Sequence, residues 1–178
     1  TSGSVNPDGT LSQRAIEYFV ARAKGGVGLI ITGACRVSRD KEYNPRMHRI
    51  LFADGGVHVA WLSELAEAVH DQGGKIAVQL QSGRGRVVSG KVAKNSVVVA
   101  PSATPCFFDS NVVAREISIK EIEALIEAFR VAAETVRMSG VDAIELNFHG
   151  GYLGDQFMCS LWNKRSDKYG GTIEGRLR

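Results

Sequence analysis

The sequence predicts an α/β fold with a parallel sheet, of the kind found in a (β/α)8 TIM barrel. Helical and strand patterns alternate along the chain, which is typical of right-handed β-α-β units. The strand patterns are continuous apolar runs rather than alternating ones, as strands buried on both faces require. Because the chain has 178 residues and a complete barrel needs about 250, we expect a fragment that supplies roughly strands 2–4 of that barrel.

The first helix and strand are expected near the start of the chain. A helical pattern covers residues 11–24, and Thr10 with Gln13 has the spacing of a capping box. The glycine pair 25–26 should end this helix, since glycine accepts the left-handed backbone of a helix stop. The apolar run 27–32 then predicts the first buried strand.

The same cycle recurs in the middle of the chain. A helical pattern begins after Asp54 and the glycines that follow it, and extends to about residue 72. The run 75–80 predicts the second strand. The polar stretch 81–117 is expected to be a long loop.

The third cycle contains the clearest helix. Ser118 and Glu121 form a second capping-box pattern, and apolar residues recur behind them at helical spacing. The run 141–146 predicts the third strand. We expect a glycine-rich loop over 147–171 and the first turn of another helix at 174–178.

Two ways of completing this pattern are open. One is the barrel, and the other is an open doubly wound sheet. A doubly wound sheet usually has a glycine-rich phosphate-binding turn after its first strand. The segments 33–35 and 79–81, which follow predicted strands, do not form such a turn. The barrel is therefore the favoured prediction.

Composition excludes several classes of protein. The formal charge is +3 with charges of both signs interspersed, whereas a nucleic-acid-binding protein needs a denser basic face. The three cysteines are scattered and odd in number, which argues against a disulfide framework or a metal site. The longest apolar run is far below the ~18 residues of a membrane span, and no leader pattern opens the chain. We expect a cytoplasmic protein with neither a nucleic-acid nor a membrane partner.

Functional residues of a barrel lie at the carboxyl ends of its strands. In this sequence those positions are 32–35, 79–81 and 147–152, and they carry small residues, amides, one phenol and one imidazole. They hold no carboxylate pair of the glycosidase type and no metal-ligand cluster. Amides both donate and accept hydrogen bonds, so this set suits a planar heterocycle such as a flavin. Small residues at Gly33 and Ala34 would let such a ring approach the backbone.

Several stretches resemble the old yellow enzyme family of FMN-dependent (β/α)8 reductases. The most specific are HGGYLGDQF at 149–157 and NKRSDKYGG at 163–171. Residues 21–30 and 100–103 resemble further parts of the family pattern in the right order. The resemblance covers nearly the whole chain. It implies one partial FMN-binding TIM-barrel domain over residues 1–178, with other parts of the flavin site outside these residues.

The resemblance implies an oxidoreductase of the ene-reductase type. NAD(P)H would drive reduction of the C=C bond of an α,β-unsaturated carbonyl or thioester through FMN. Similarity to the 2,4-dienoyl-CoA reductase branch also suggests a 4Fe–4S cluster and FAD in downstream domains. The partner is then a small unsaturated molecule. Its identity, the choice between NADH and NADPH, and a homo-oligomeric state are left open, and the isolated fragment is expected to be inactive.

The resemblance assigns roles to individual residues. Gln79 resembles the glutamine that bonds the pyrimidine edge of the flavin. Ala34, with Gly33 beside it, resembles the residue whose backbone meets the flavin near its reactive ring. Tyr152 resembles the proton-donating tyrosine of dienoyl-CoA reductase-like members. Its alternative role is that of a core aromatic residue.

The sequence departs from the family at the residues that hold the substrate oxygen. Many members have His or Asn at two positions three apart, and here these positions are Asn147 and Gly150. Half of the pair is absent, and His149 lies one step away. Asn147 and His149 are therefore the substrate-binding candidates, with a structural histidine as the alternative for His149.

Two other functions are left open by the sequence. The chain would be a non-catalytic half-barrel if its flavin site is incomplete, or part of a TIM-barrel enzyme that binds a phosphorylated substrate without flavin. The basic segment 83–86 could approach an anion, although a solvated loop is the simpler interpretation. The charged segment 163–171 is expected to be structural, and Cys35 has no adjacent base that would make it catalytic.

Overall fold

The computed structural model describes residues 5–6, 8–38, 51–53, 55–88 and 97–178, so the predicted start of the second helix at Asp54 lies outside it. The helices, in chain order, are α1 (Gln13–Lys24), α2 (Gly56–His70), α3 (Ile119–Met138), α4 (Leu153–Met158) and α5 (Ile173–Arg176). The strands are β1 (Leu29–Ile31), β2 (Cys35–Arg36), β3 (Leu51–Phe52), β4 (Lys75–Gln81), β5 (Val99–Ala100), β6 (Thr104–Pro105), β7 (Val113–Glu116) and β8 (Ala143–Leu146).

The chain divides into two compact units. The first unit contains β1–β4 and β8 with α1, α2 and the larger part of α3. The second contains β5–β7 and the segment 147–178, which carries α4 and α5. In the part of the chain that the structure describes, no helix is both long enough and apolar enough to cross a bilayer.

The sheet of the first unit is parallel, as the sequence predicts. β4 lies between β1 and β8, with Ile30 in register with Ile76, and Val78 in register with Ile144. The short strands β2 and β3 extend the sheet beyond the end of β1, and Cys35 of β2 is in register with Leu80 near the end of β4. The three predicted apolar runs therefore form the three neighbouring parallel strands of the sheet.

The two faces of β4 differ in chemistry. Ile76, Val78 and Leu80 are almost completely buried, and α2 contacts this strand. Because successive side chains of a strand point to opposite faces, Gln79 lies on the other face, where its register partner on β8 is Glu145. The apolar face stabilises the sheet, while the second face carries polar groups.

The helices α1 and α2 pack on one another. α1 buries Ala15, Ile16, Phe19 and Ala23 at helical spacing. α2 buries Trp61, and its C-terminal end lies two residues before the predicted one.

The capping box predicted for Thr10 and Gln13 is wrong. α1 begins at Gln13 with Ser12 as its N-cap. The hydroxyl of Thr10 instead donates to Asp8 Oδ1 at 2.7 Å, and the Thr10 amide donates to the same oxygen. Asp8 therefore holds Thr10 in a local turn, so its side chain does not reach the helix.

The capping box predicted at the start of α3 is confirmed. The Ser118 amide donates to Glu121 Oε2 at 2.9 Å, and the Glu121 amide donates to Ser118 Oγ at 3.3 Å. Arg115 adds two hydrogen bonds to the Glu121 carboxylate. The hydrogen bonds from Arg115 and Ser118 hold the pKa of Glu121 well below its usual range.

The prediction that residues 81–117 form one long loop is wrong. In the second unit β7 pairs in parallel with β5 and in antiparallel with β6. A small core lies under these strands, formed by Val88, Val98, Ala100, Cys106 and Ala114. Two of the strands have only two residues each, which is too short to produce a periodic pattern in the sequence.

The third predicted strand begins two residues later than expected. Asp142 does not continue the strand, because its carboxylate accepts hydrogen bonds from the Ile76 amide, His70 and Lys75. Burial raises the pKa of Asp142, but the hydrogen bond from His70 and those from Ile76 and Lys75 outweigh it and lower the pKa overall. The carboxylate therefore ties the start of β8 to the start of β4.

We expect the isolated 178-residue chain to self-associate. Within the described residues β1, β3 and β8 are edge strands of the sheet, and Leu29, Ile31 and Leu146 on β1 and β8 are 53%, 46% and 51% exposed. Unpaired edges with apolar side chains are templates for pairing with another chain. Sedimentation velocity should show concentration-dependent oligomers, and a stable monomer with a cooperative melt would contradict this expectation.

Candidate functional site

The first group of predicted site residues lies at the carboxyl end of the sheet in the first unit. Gly33 and Ala34 are half-buried in the segment between β1 and β2. Thr32 connects this segment to β4, since its amide donates to Ala77 O at 2.9 Å and its hydroxyl accepts from the Gln79 amide at 3.1 Å. The structure thus brings Gly33, Ala34 and Gln79 together at one end of the sheet.

The chemistry of this group fits a flavin ring edge. Gln79 is half-buried and presents an amide, which carries both a donor and an acceptor. Gly33 has no side chain and Ala34 has only a methyl group, so a planar ring can come close to this backbone. These residues can therefore bind the mixed donor and acceptor edge of a flavin pyrimidine ring.

Cys35 lies beside this group, and its environment disfavours reaction of its thiol. It is completely buried, with its Sγ 4.0 Å from Thr32 Oγ1 and 3.8 Å from Gly33 O. Burial raises the pKa of its thiol to about 12. The thiolate, which is the reactive form of cysteine, is therefore scarce at neutral pH.

We expect Cys35 to resist alkylation in the folded protein. At pH 8 a pKa near 12 lowers the thiolate fraction on the order of 10³-fold below that of an ordinary thiol. Iodoacetamide should modify the half-buried Cys159 first and reach Cys35 only in denaturant. Peptide mass spectrometry measures both sites in one sample, and equal labelling of the two cysteines would refute the expectation.

The second group of predicted residues lies in the second unit, after β8. Asn147 is buried at 5% exposure, whereas His149 is exposed. The ring of Tyr152 is half-buried and lies 6.1 Å from the His149 ring, measured between centroids. The Tyr152 amide donates to His149 O at 3.2 Å. The structure therefore places His149 and Tyr152 in one turn, which follows the buried residue Asn147.

This turn depends on two consecutive glycines. Gly150 and Gly151 have φ values of +66° and +75°, a region that other residues rarely adopt. The side chain of Asp155 accepts the Gly151 amide at 2.7 Å, and Gln156 Nε2 donates to the Gly151 carbonyl. Both polar groups of Gly151 are thus bound by side chains of the short helix that follows.

Gln156 is the residue whose importance the sequence analysis missed. It is completely buried, its Nε2 donates to Arg84 O at 3.0 Å, and its Oε1 accepts the Arg86 amide at 3.3 Å. Gly85 has φ +56°, and a Cβ there would overlap the Gln156 amide. The available signal was a glycine pair followed within one helical turn by Asp and Gln, two side chains able to reach back to the turn.

The basic segment 83–86 is only partly solvated. Arg84 is exposed, but Arg86 donates to Pro105 O at 3.0 Å and its guanidinium lies 3.9 Å from the centre of the Trp162 ring. The interpretation as a solvated loop is therefore wrong for Arg86, because a carbonyl and an aromatic face hold it.

The charged segment 163–171 is structural, as the sequence analysis expects. Asn163 donates to Phe157 O and Tyr169 O, both at 2.8 Å. Arg165 donates to Pro101 O and Ile117 O and pairs with the Asp167 carboxylate at 2.6 Å. These bonds fasten the segment within the second unit. The described residues contain no group of three or more potential metal ligands.

Comparison with known proteins gives a consistent picture. The family model described as the NADH:flavin oxidoreductase / NADH oxidase family matches residues 1–178. Cinnamate reductase of Clostridium sporogenes is 40% identical over an alignment of 188 positions, which covers 99% of this chain and 27% of that protein. NADPH dehydrogenase of Halalkalibacterium halodurans is 34% identical over 172 residues, covering 96% of this chain and 48% of that protein.

Solved structures agree with the sequence comparison. An old yellow enzyme homologue from Zymomonas mobilis matches with a TM-score of 0.79 and 29% identity, over 99% of this chain and 50% of that one. Morphinone reductase in complex with tetrahydroNAD matches with a TM-score of 0.80 and 28% identity, over 98% and 50%. The chain thus spans between about a quarter and a half of the proteins it matches. These matches confirm the prediction of a partial (β/α)8 barrel.

Proposed function

Because the chain belongs to the NADH:flavin oxidoreductase / NADH oxidase family, we propose that residues 1–178 form part of an FMN-binding barrel domain in an NAD(P)H-driven reductase of activated C=C bonds. The observation that carries this proposal is the position of Gln79 at the carboxyl end of the parallel sheet, where its main-chain N–H bonds Thr32, the residue that precedes Gly33 and Ala34. NAD(P)H is a reductant of the cytoplasm. A dependence on it therefore also favours a cytoplasmic enzyme with a small-molecule substrate.

FMN would be held in part by three residues of the first unit. The Gln79 side chain would bond the pyrimidine edge of the ring, and the backbone at Gly33 and Ala34 would contact the ring itself. When bound, FMN accepts a hydride from NAD(P)H and passes it to the substrate. Gln79 stays in place because its main chain is fixed by Thr32 and by the β8 ladder.

The proposed substrate is an alkene conjugated to a carbonyl or thioester. A hydride adds to the β carbon, a proton adds to the α carbon, and negative charge develops on the carbonyl oxygen between the two events. Groups that stabilise this charge accelerate the reaction, and Asn147 and His149 are the candidates for that role. The relative named cinnamate reductase supports this substrate class, since cinnamate carries a C=C bond conjugated to a carboxyl group.

Tyr152 would supply the proton to the α carbon. A phenol carries an O–H donor, and the half-buried ring of Tyr152 lies in the turn that also contains His149. A positioned acid of this kind raises the rate of proton transfer. Tyr152 therefore acts on the alkene and has no role in the transfer of the hydride from NAD(P)H.

Replacing Gln79 by Ala in the full-length protein tests the cofactor assignment. The loss of the amide leaves polar atoms of the buried ring edge unsatisfied, so FMN binding should weaken by about 1–3 kcal/mol. Titration of the apoprotein with FMN, followed by flavin absorbance and fluorescence, measures the dissociation constant. Gln13→Ala, which removes an exposed amide of α1, is the matched control and should not change the affinity. An unchanged affinity in Gln79→Ala would contradict the assignment.

A further inference from the structure

We propose that Asp155 and Gln156 are positioning residues that hold the hydroxyl of Tyr152 for proton transfer. They act through the Gly150–Gly151 turn, and neither needs to touch the substrate. The inference rests on the proposed role of Tyr152 as proton donor, and it adds the part of the molecule that keeps this donor in place.

The two side chains bind opposite polar groups of the same residue. Asp155 Oδ2 accepts the Gly151 amide at 2.7 Å, and Gln156 Nε2 donates to the Gly151 carbonyl. That carbonyl belongs to the peptide group that leads directly into Tyr152. In addition, the Gln156 amide donates to the Tyr152 carbonyl at 2.9 Å. The main chain on both sides of the tyrosine is thus fixed by these two neighbouring residues.

The turn needs such restraint because of its composition. Gly150 and Gly151 both adopt positive φ, and glycine has more backbone freedom than any other residue. Neither glycine has a side chain that could pack and hold the turn. Without hydrogen bonds from outside, the backbone before Tyr152 could therefore sample several conformations, and the hydroxyl would move with it.

The residues that hold the turn are themselves anchored. Gln156 is completely buried and also bonds Arg84 O and the Arg86 amide, and it lies so close to Gly85 that a Cβ there would overlap its side-chain amide. A Cβ at Gly154 would overlap the Phe148 ring, so this helix packs tightly against its own preceding segment. The restraint on Gly151 is therefore transmitted from a packed region of the second unit.

Proton transfer is sensitive to this kind of restraint. The donor must lie within hydrogen-bond reach of the atom that receives the proton, and a displacement of about 1 Å can slow an enzyme about 10²-fold. Hydride transfer from NAD(P)H to the flavin needs no proton from the protein. Loss of the restraint should therefore slow the alkene-dependent step alone.

A pair of substitutions at Asp155 tests the proposal in the full-length flavoprotein. Asp155→Ala removes the acceptor for the Gly151 amide, and it should slow oxidation of the flavin by an unsaturated substrate by roughly 10–10²-fold without changing flavin reduction by NAD(P)H. Asp155→Asn keeps an acceptor oxygen and should restore the rate. Asp109→Ala is the matched control, since Asp109 Oδ1 accepts a hydrogen bond from the Asn111 amide in an exposed turn. That control should leave both steps unchanged.

Hydrogen exchange supplies a readout that does not depend on activity. The Gly151 amide should exchange faster in Asp155→Ala than in the native protein and in Asp155→Asn. Gln156→Leu should have the same two effects, and the Asp155 pair provides the test if that buried substitution prevents folding. Native exchange at Gly151 in Asp155→Ala would overturn the proposal.

A double variant separates this inference from the proposed function. If Asp155 acts through the Tyr152 hydroxyl, adding Asp155→Ala to Tyr152→Phe should cause no further slowing of alkene reduction. Slowing that multiplies in the double variant would overturn the positioning role while the proton-donor role stands. A native alkene rate in Tyr152→Phe alone would overturn the proposed donor itself.

Discussion

Replacing Tyr152 by Phe should slow alkene reduction by roughly 10²–10⁴-fold, the contribution that a positioned general acid typically makes. Flavin reduction by NAD(P)H should keep its native rate, because it requires the alignment of two rings and no proton from the protein. The substitution removes only the hydroxyl, so the half-buried ring can stay packed in its turn. The two halves of the reaction should therefore respond differently to one atom.

Stopped-flow absorbance separates the two halves. Mixing the protein with NAD(P)H follows the bleaching of the flavin, and subsequent mixing with an unsaturated substrate follows the return of its colour. Tyr18→Phe is the control, since Tyr18 is a 49% exposed tyrosine of α1 in the other unit. Equal slowing of both phases would mean that Tyr152 acts through structure, and unchanged phases would mean that the proton has another source.

Replacing Arg165 by Met should lower the free energy of unfolding by about 3–5 kcal/mol, as expected when one partner of a buried ion pair is removed. The Arg165 side chain is only 3% exposed and pairs with Asp167 at 2.6 Å. It also donates to Pro101 O and Ile117 O at 2.8 and 2.7 Å. Met has a similar length but no donors, so it would leave two buried carbonyls and a carboxylate without these bonds.

Denaturant unfolding of the full-length protein measures this loss. Arg130→Met is the matched control, because Arg130 is 61% exposed and pairs with Glu127 and Glu134 on the surface of α3. Exposed pairs contribute about 0–1 kcal/mol. Hydrogen bonding to Arg165 lowers the pKa of Asp167. The Arg165–Asp167 pair therefore stabilises the fold fully above the ordinary pKa of aspartate, and this contribution declines as the pH falls through the lowered pKa. Similar losses for the two variants would contradict the structural role of Arg165.

Much of the fold was predictable because a buried parallel strand has a distinctive sequence. The runs that became β1, β4 and β8 are continuous and apolar, and helices of 12–20 residues precede them. The small sheet β5–β7 was not predictable, since strands of two to four residues are too short for an alternating pattern to be distinguished from chance. Of the two predicted capping boxes, only the one at Ser118 and Glu121 formed. The other failed because Asp8 offered Thr10 a nearer partner.

The residue types of the candidate site could be predicted from the sequence more readily than the contacts that hold those residues in place. The positions after each strand marked the segments that contain Ala34, Gln79 and Asn147, and the resemblance to the old yellow enzyme family assigned roles to these residues. The supports arise from side chains that turn back on the preceding loop, as Asp155 and Gln156 do, and this depends on two glycines with positive φ. No periodicity of apolar residues indicates such a contact, and its trace in the sequence is the glycine pair followed by Asp and Gln.

The strand order in the sheet of the first unit also bears on how the protein folds during its synthesis. β1, β4 and β8 follow one another in the sheet in the order in which they are translated. Synthesis proceeds at about 5–20 residues per second, so the edge of β4 waits for seconds until β8 emerges. Each newly made strand can dock on its predecessor without rearrangement of earlier contacts. Until then this edge of β4 is unpaired, and an unpaired edge is a template for pairing with another chain.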